Sequence, residues 1–147
     1  MANEMPDVKQ FTGLTRKVME YSAHFAELVA KLKKPGFSDA DWKPIETLVD
    51  VANFERVGVF LTQQVETIDW ATYKTYIGQY GAATQWEGTL RRITEGPGVV
   101  IQELEERNTR GGITDIANTV MIYAFNSEGK LSHLDVYVNH MGKRPGA

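Results

Sequence analysis

The stretch Tyr123-Ala-Phe-Asn-Ser-Glu-Gly-Lys-Leu-Ser-His-Leu-Asp-Val-Tyr137 decides the fold. Apolar side chains recur at every second position on both sides of Asn126-Ser-Glu-Gly129, a turn-forming quartet, so the segment reads as a hairpin. A four-residue turn places Phe125 opposite Lys130. Counting back sets Ile122 opposite His133, Val120 opposite Asp135 and Asn118 opposite Tyr137. One face then carries Asn118, Val120, Ile122, His133, Asp135, Tyr137 and Asn139; the other carries Met121, Tyr123, Phe125, Leu134, Val136 and Val138. Neither face has the Lys and Glu of a side turned to water. The mixed face is expected to line a pocket under helices. The uniformly apolar face is expected to pack on a second subunit as the outer surface of a homodimer.

Working upstream, Glu95-Gly-Pro-Gly98 joins strands at 87–94 and 99–107, and a turn at 108–112 leads into a strand at 114–125. Carried across that turn, the count sets Glu103 opposite Asn118 and puts Leu90 and Trp86 on the same face. A one-residue slip exchanges Glu103 and Glu105 for Leu104 and Glu106. The first half is helical. From Val8, the residues Phe11, Leu14, Val18, Tyr21, Phe25, Leu28 and Leu32 fall at steps of three and four, and Pro35-Gly36 ends the pattern. A second helix is expected over 41–50 with Asp41 as cap, short strands at 56–61 and 65–68, and a third helix over 70–80 capped by Asp69. The order α-α-β-β-α-β-β-β-β is α+β, with helices on one face of a curved antiparallel sheet. One domain is expected over 1–147, with 141–147 a flexible tail.

Composition narrows the function. The chain of 147 residues is 42% hydrophobic, enough for a core. Its 16 basic and 19 acidic residues leave a net charge of −3 and no basic patch, which argues against a nucleic-acid partner. With no cysteine there are no disulfides, thiol nucleophiles or thiolate metal sites. The three histidines form no His-x-x-x-His pair. No signal-peptide pattern opens the chain, and no apolar run reaches the ~20 residues that cross a bilayer. A cytoplasmic protein without a membrane partner is expected.

The element order, the hairpin Ile93-Thr-Glu-Gly-Pro-Gly-Val-Val100 and the closing stretch from Tyr123 to Tyr137 together resemble the nuclear-transport-factor-2-like superfamily. Within it the chain looks most like the SnoaL-like and ketosteroid-isomerase-like small-molecule branch. The architecture matches from Val8 to Asn139; the sharper likeness is in the last two hairpins. The resemblance implies a cone: a strongly bent sheet wrapped around the N-terminal helices, enclosing an apolar pocket, commonly in a dimer. It also implies a choice of chemistries, among them isomerases, dehydratases, polyketide cyclases, epoxide hydrolases and carbon–carbon lyases, beside members that only bind ligands. In limonene epoxide hydrolase and the SnoaL-like cyclases an acid on the final strand works in the pocket, and the matching acid is Asp135. The epoxide hydrolases also carry Arg-x-Asp on the strand before the last hairpin. Here that stretch is Leu104-Glu-Glu106, without the arginine, a departure that tells against epoxide hydrolysis.

The candidate site is therefore Asp135, His133 and Glu103 as catalytic groups, with Tyr21, Trp86, Leu90, Asn118, Val120 and Tyr137 around the substrate. A carboxylate in mid-strand among apolar neighbours is costly unless paired, and burial tunes its pKa for acid–base work. The competing reading makes Asp135 a structural hydrogen-bond acceptor. His133 is placed to position or protonate a substrate, or else sits on the rim. Glu103 joins a polar row with Asn118 and Tyr137, or faces an arginine such as Arg92. Tyr21 lines the pocket, or belongs to the core. His133-x-Asp135 has the spacing of two metal ligands, and a third would have to be His24 or Glu103; no metal is assigned. Without metal, flavin or nucleotide signatures, the expectation is a cofactor-independent lyase or isomerase. It would act on a small hydrophobic substrate, aromatic, polyketide-like or terpenoid, by dehydration, double-bond shift, cyclisation or retro-aldol cleavage. The alternative is a non-catalytic small-molecule-binding module of the same fold.

Overall fold

The computed structural model describes residues 4–145. The long helical stripe is interrupted near its start. Val8–Gln10 form a 3-10 turn, capped by the Asp7 carboxylate accepting from Lys9 N at 2.9 Å, and helix α1 then spans Gly13–Lys31. Gly13 makes the break at φ +63°, a left-handed conformation that suits glycine. A carboxylate distant in sequence closes the helix start: Glu95 accepts from Thr15 N at 2.7 Å and Thr15 Oγ1 at 2.8 Å. The bonds from Thr15 hold the Glu95 carboxyl below its usual range.

The second helical segment is shorter than its apolar pattern suggests. A 3-10 turn at Asp39–Trp42 passes into helix α2, Lys43–Glu46, with Pro44 in its first turn. The cap is Ser38 rather than Asp41, and the two bond reciprocally, Ser38 N donating to Asp41 Oδ2 at 2.9 Å. Helix α3 spans Trp70–Ala83 and begins at the expected cap, with Asp69 Oδ1 accepting from Thr72 N at 2.8 Å.

Six strands, two before α3 and four after it, form one curved, open sheet: β1 Glu55–Gly58, β2 Glu66–Ile68, β3 Gln85–Gly96, β4 Val99–Arg110, β5 Ile113–Phe125 and β6 Leu131–Pro145, in the order β2-β1-β6-β5-β4-β3. Bulges at Leu90/Arg92, Ile116/Ala117 and Ala124/Phe125 interrupt the ladders where long strands bend. The sheet is mixed rather than wholly antiparallel. β1 pairs β6 in parallel, Arg56 beside Leu134, because α3 and four strand connections separate the two and no hairpin dictates their sense. Residues 141–145 are not a flexible tail. They continue β6 along the start of β5, Gly142 opposite Ile116 and Pro145 opposite Ile113, which satisfies strand groups that β5 would otherwise leave open. Residues 146–147 lie outside the described chain.

The last hairpin differs from the expected register by two residues. Phe125 pairs Leu131 and a bulge follows, so Ile122 faces Asp135, Val120 faces Tyr137 and Asn118 faces Asn139. A shift of two preserves which side chains share a face. What reverses is the direction of those faces. Val100, Tyr123, Leu134 and Val136 join Val18, Tyr21, Tyr73 and Ile77 from α1 and α3 in one core cluster. The uniformly apolar face buries more hydrocarbon than the mixed one, so it is the face that meets the helices. No helix is long and apolar enough to cross a membrane.

Candidate functional site

The inner face is not purely apolar, and its polar members converge. Position 106 of β4 pairs Ala117 and Gly88, in the same inward row as Leu104, Gln102 and Val100. Glu106 keeps part of its surface open, yet its carboxyl lies deep enough that desolvation raises its pKa above the usual carboxylate value. Three influences oppose the rise: the bond from Thr119 Oγ1 to Oε2 at 2.9 Å, the bond from Trp86 Nε1 to Oε1 at 3.2 Å, and the positive charge of Arg56. A carboxyl set this way holds its proton to higher pH than an exposed one, a shift that suits acid–base work.

Arg56 comes from β1, beside Leu134, and is 5% exposed. Its guanidinium lies 4.7 Å from the Phe60 ring centre and 5.2 Å from that of Tyr73, and Nη2 donates to Val59 O at 3.1 Å. Its Nε is buried without a hydrogen-bond partner. Its charge is felt by Tyr21 and Tyr123 as well as Glu106.

Phenols and amides complete the interior. Tyr21 OH lies 3.5 Å from Tyr73 OH, and burial raises the Tyr21 phenol well above its ordinary value. Tyr123 OH donates to Gln102 Oε1 at 2.9 Å, and Gln102 Nε2 donates to Ser22 Oγ at 2.9 Å, which ties α1 to the sheet through a fully buried amide. Tyr80 OH donates to Asn108 Oδ1, and Phe25 packs against both Tyr80 and Trp86. A separate cleft of about 490 Å³ opens between the segments 49–53 and 126–130. Its lining includes neither Glu106 nor Arg56.

The residues expected from sequence divide between the two faces. Tyr21, Trp86 and Leu90 lie on the helix side; Leu90 pairs Leu104, not Glu103. Asp135, His133, Glu103, Asn118, Val120 and Tyr137 lie on the outer side, a correction to the expected pocket. There His133 Nε2 and Asp135 Oδ1 are 2.9 Å apart, and Glu55 Oε1 is 3.6 Å from His133 Nδ1. Glu103 takes the alternative foreseen for it: it accepts from Arg92, whose bonds hold the Glu103 carboxyl below its usual range. Asn118 pairs Asn139 and faces Glu105 rather than Glu103, and Tyr137 is 60% exposed. Because Glu103 is engaged by Arg92 and His24 lies on α1, neither joins His133 and Asp135.

Glu106, Arg56, Gln102 and Thr119 are the interior residues the sequence did not single out. One signal was present: Glu106 occupies the acidic position of the Leu104-Glu-Glu106 stretch.

No family model and no curated protein matches the chain. Solved structures do. An NTF2-like protein from Burkholderia xenovorans LB400 is similar with a TM-score of 0.62 at 10% identity, over 86% of this chain and 88% of that one. A computationally designed 17-OHP binder gives 0.60 at 15% identity, over 88% and 96%. An LEH-like epoxide hydrolase from M. tuberculosis gives 0.52 at 11% identity, over 80% and 84%. Further matches carry the words isomerase and SnoaL-like polyketide cyclase in their names. The chain has the nuclear-transport-factor-2-like fold, one that houses enzymes of several chemistries.

Proposed function

We propose that the protein is a cofactor-independent lyase or isomerase of the SnoaL-like kind, with Glu106 as the general acid and base for a small apolar molecule held on the inner face. The observation that carries this is the Glu106 carboxyl. Burial raises its pKa, and Trp86 and Thr119 hold it in place. Trp86, Phe25 and Tyr80 supply flat apolar walls beside it, which suits an aromatic or conjugated substrate. The Tyr21 and Tyr73 hydroxyls are donors for a substrate oxygen. The acid–base role thus belongs to Glu106 rather than to Asp135, which stands on the outer face.

The binding-module reading has its own support. Tyr73 and Tyr80 are 5% and 7% exposed, so rings crowd the interior, and the fold in the designed relative serves binding. A thermal-shift screen separates the two readings, using phenolic, steroid, terpenoid and polyketide-like compounds on the wild type and Glu106→Gln. A ligand at 100 times its dissociation constant adds about 2.7 kcal/mol. Binding to both proteins with turnover by the wild type alone supports the enzyme. Turnover surviving in Glu106→Gln overturns it, and binding without turnover in either protein leaves the binding module.

The outer face, with Val120, Ile122 and the exposed Tyr137, is proposed as the surface on which a second copy packs.

A further inference from the structure

We infer that Arg56 is a carboxylate-recognition residue: the ligand of the inner face is a small acid with a flat apolar body, and one of its carboxylate oxygens accepts from Nε of Arg56. The inference rests on the inner face being the ligand site, as proposed above, but not on Glu106 moving a proton.

A guanidinium presents five donors and carries its charge at any working pH. Arg56 is 5% exposed, so water does little to solvate it. One donor is met by Val59 O, and two ring faces, Phe60 and Tyr73, lie against the group. The Nε–H is buried and has nothing to donate to. Among the described residues no ion pair joins Arg56 to a carboxylate; Glu106 acts on it only through space. A buried cation left in this state is costly unless an anion completes it.

The chemistry of the missing partner follows. A carboxylate brings a full negative charge in a plane that matches the guanidinium fork, and its hydrogen bond is of the stronger, charge-assisted kind. An uncharged carbonyl would meet the Nε–H but leave the charge unbalanced. The Phe60 and Tyr73 rings packed beside the guanidinium favour a flat body attached to that carboxylate. Arg56 is then a specificity-determining residue, selecting acids over the matching neutral compounds.

The test compares trans-cinnamate and benzoate with cinnamamide and benzamide. Binding is followed by calorimetry and by the 15N–1H resonance of Arg56 Nε in the wild type. The acids are expected to bind roughly tenfold or more tighter than the amides, and to move the Nε resonance when the amides do not. Arg56→Gln is expected to level acid and amide, while Glu106→Gln keeps the preference. Equal binding of acids and amides, absence of acid binding, or a preference that persists in Arg56→Gln would overturn the inference. Should Arg56→Gln fail to fold, the wild-type Nε resonance decides. Acid preference without turnover by any variant supports carboxylate recognition and defeats the catalytic reading. Turnover of neutral compounds with no acid preference does the reverse.

Discussion

The indole Nε1 of Trp86 donates a 3.2 Å hydrogen bond to Oε1 of Glu106 across the β3–β4 ladder. The donor favours the charged form of the carboxyl, whereas burial disfavours it, and burial prevails. Trp86→Phe keeps an aromatic wall and removes the donor. The midpoint of Glu106 is then expected to move to still higher pH. A 13C-detected titration of the glutamate carboxyls measures this, and an unchanged or lowered midpoint would show that the indole bond does not act on the charged form.

Glu106 also sets a pH dependence of stability. Its folded pKa lies above the unfolded one, so between the two the folded chain holds a proton that the unfolded chain has released. Its contribution is therefore most favourable below the unfolded value, near 4.3, and declines as pH rises through the folded value. The slope is about 1.4 kcal/mol per pH unit within that window. In Glu106→Gln this decline should vanish. Urea denaturation at pH 4 and pH 8 should show the variant gaining on the wild type at the higher pH.

The direction of the two sheet faces has a simple mutational signature. Leu134 is 1% exposed in the core, so Leu134→Ala is expected to cost about 2–5 kcal/mol. Asp135 is its neighbour on the opposite face, and Asp135→Asn is expected to change stability by no more than about 1 kcal/mol. Chemical denaturation of both variants checks this; equal losses would contradict the assignment of the faces.

If a second copy covers the outer face, a lysine at Ile122 places an unpaired charge in the interface while leaving the core untouched. Ile122→Lys is expected to run as a monomer by light scattering at micromolar concentration, with an unchanged circular-dichroism spectrum. A wild type that is itself monomeric under those conditions removes the proposed dimer.

Much of the fold was legible because periodicity is a local property. The step pattern from Leu14 to Leu28, the Asp69 cap and the turns at 95–98 and 126–129 each follow from a few adjacent residues. The alternation from Asn118 to Val138 likewise separated the two faces correctly despite a register error of two. Direction was harder, since it depends on what the rest of the chain lays against the sheet. Asp135 looked like an interior acid because its neighbours are apolar, but those neighbours are the inward ones, and alternation sends Asp135 the other way. Glu106 was hidden by the opposite effect: in the run Glu103-Leu-Glu-Glu-Arg107, with three acids and one leucine, an inward carboxylate looks like its outward neighbours. Arg56 was unreadable, because its place depends on β1 meeting β6, a partnership with no local signal.

That partnership bears on the order of biosynthesis. The strand carrying Arg56 emerges early from the ribosome, but the neighbour against which it lies, β6, is made last. The β3–β6 meander can assemble from adjacent hairpins as it is made, whereas seating β1 requires closing a long loop. Arg56 therefore waits in water until the final strand exists, and a chain ending before Leu131 has nowhere to lodge its buried charge.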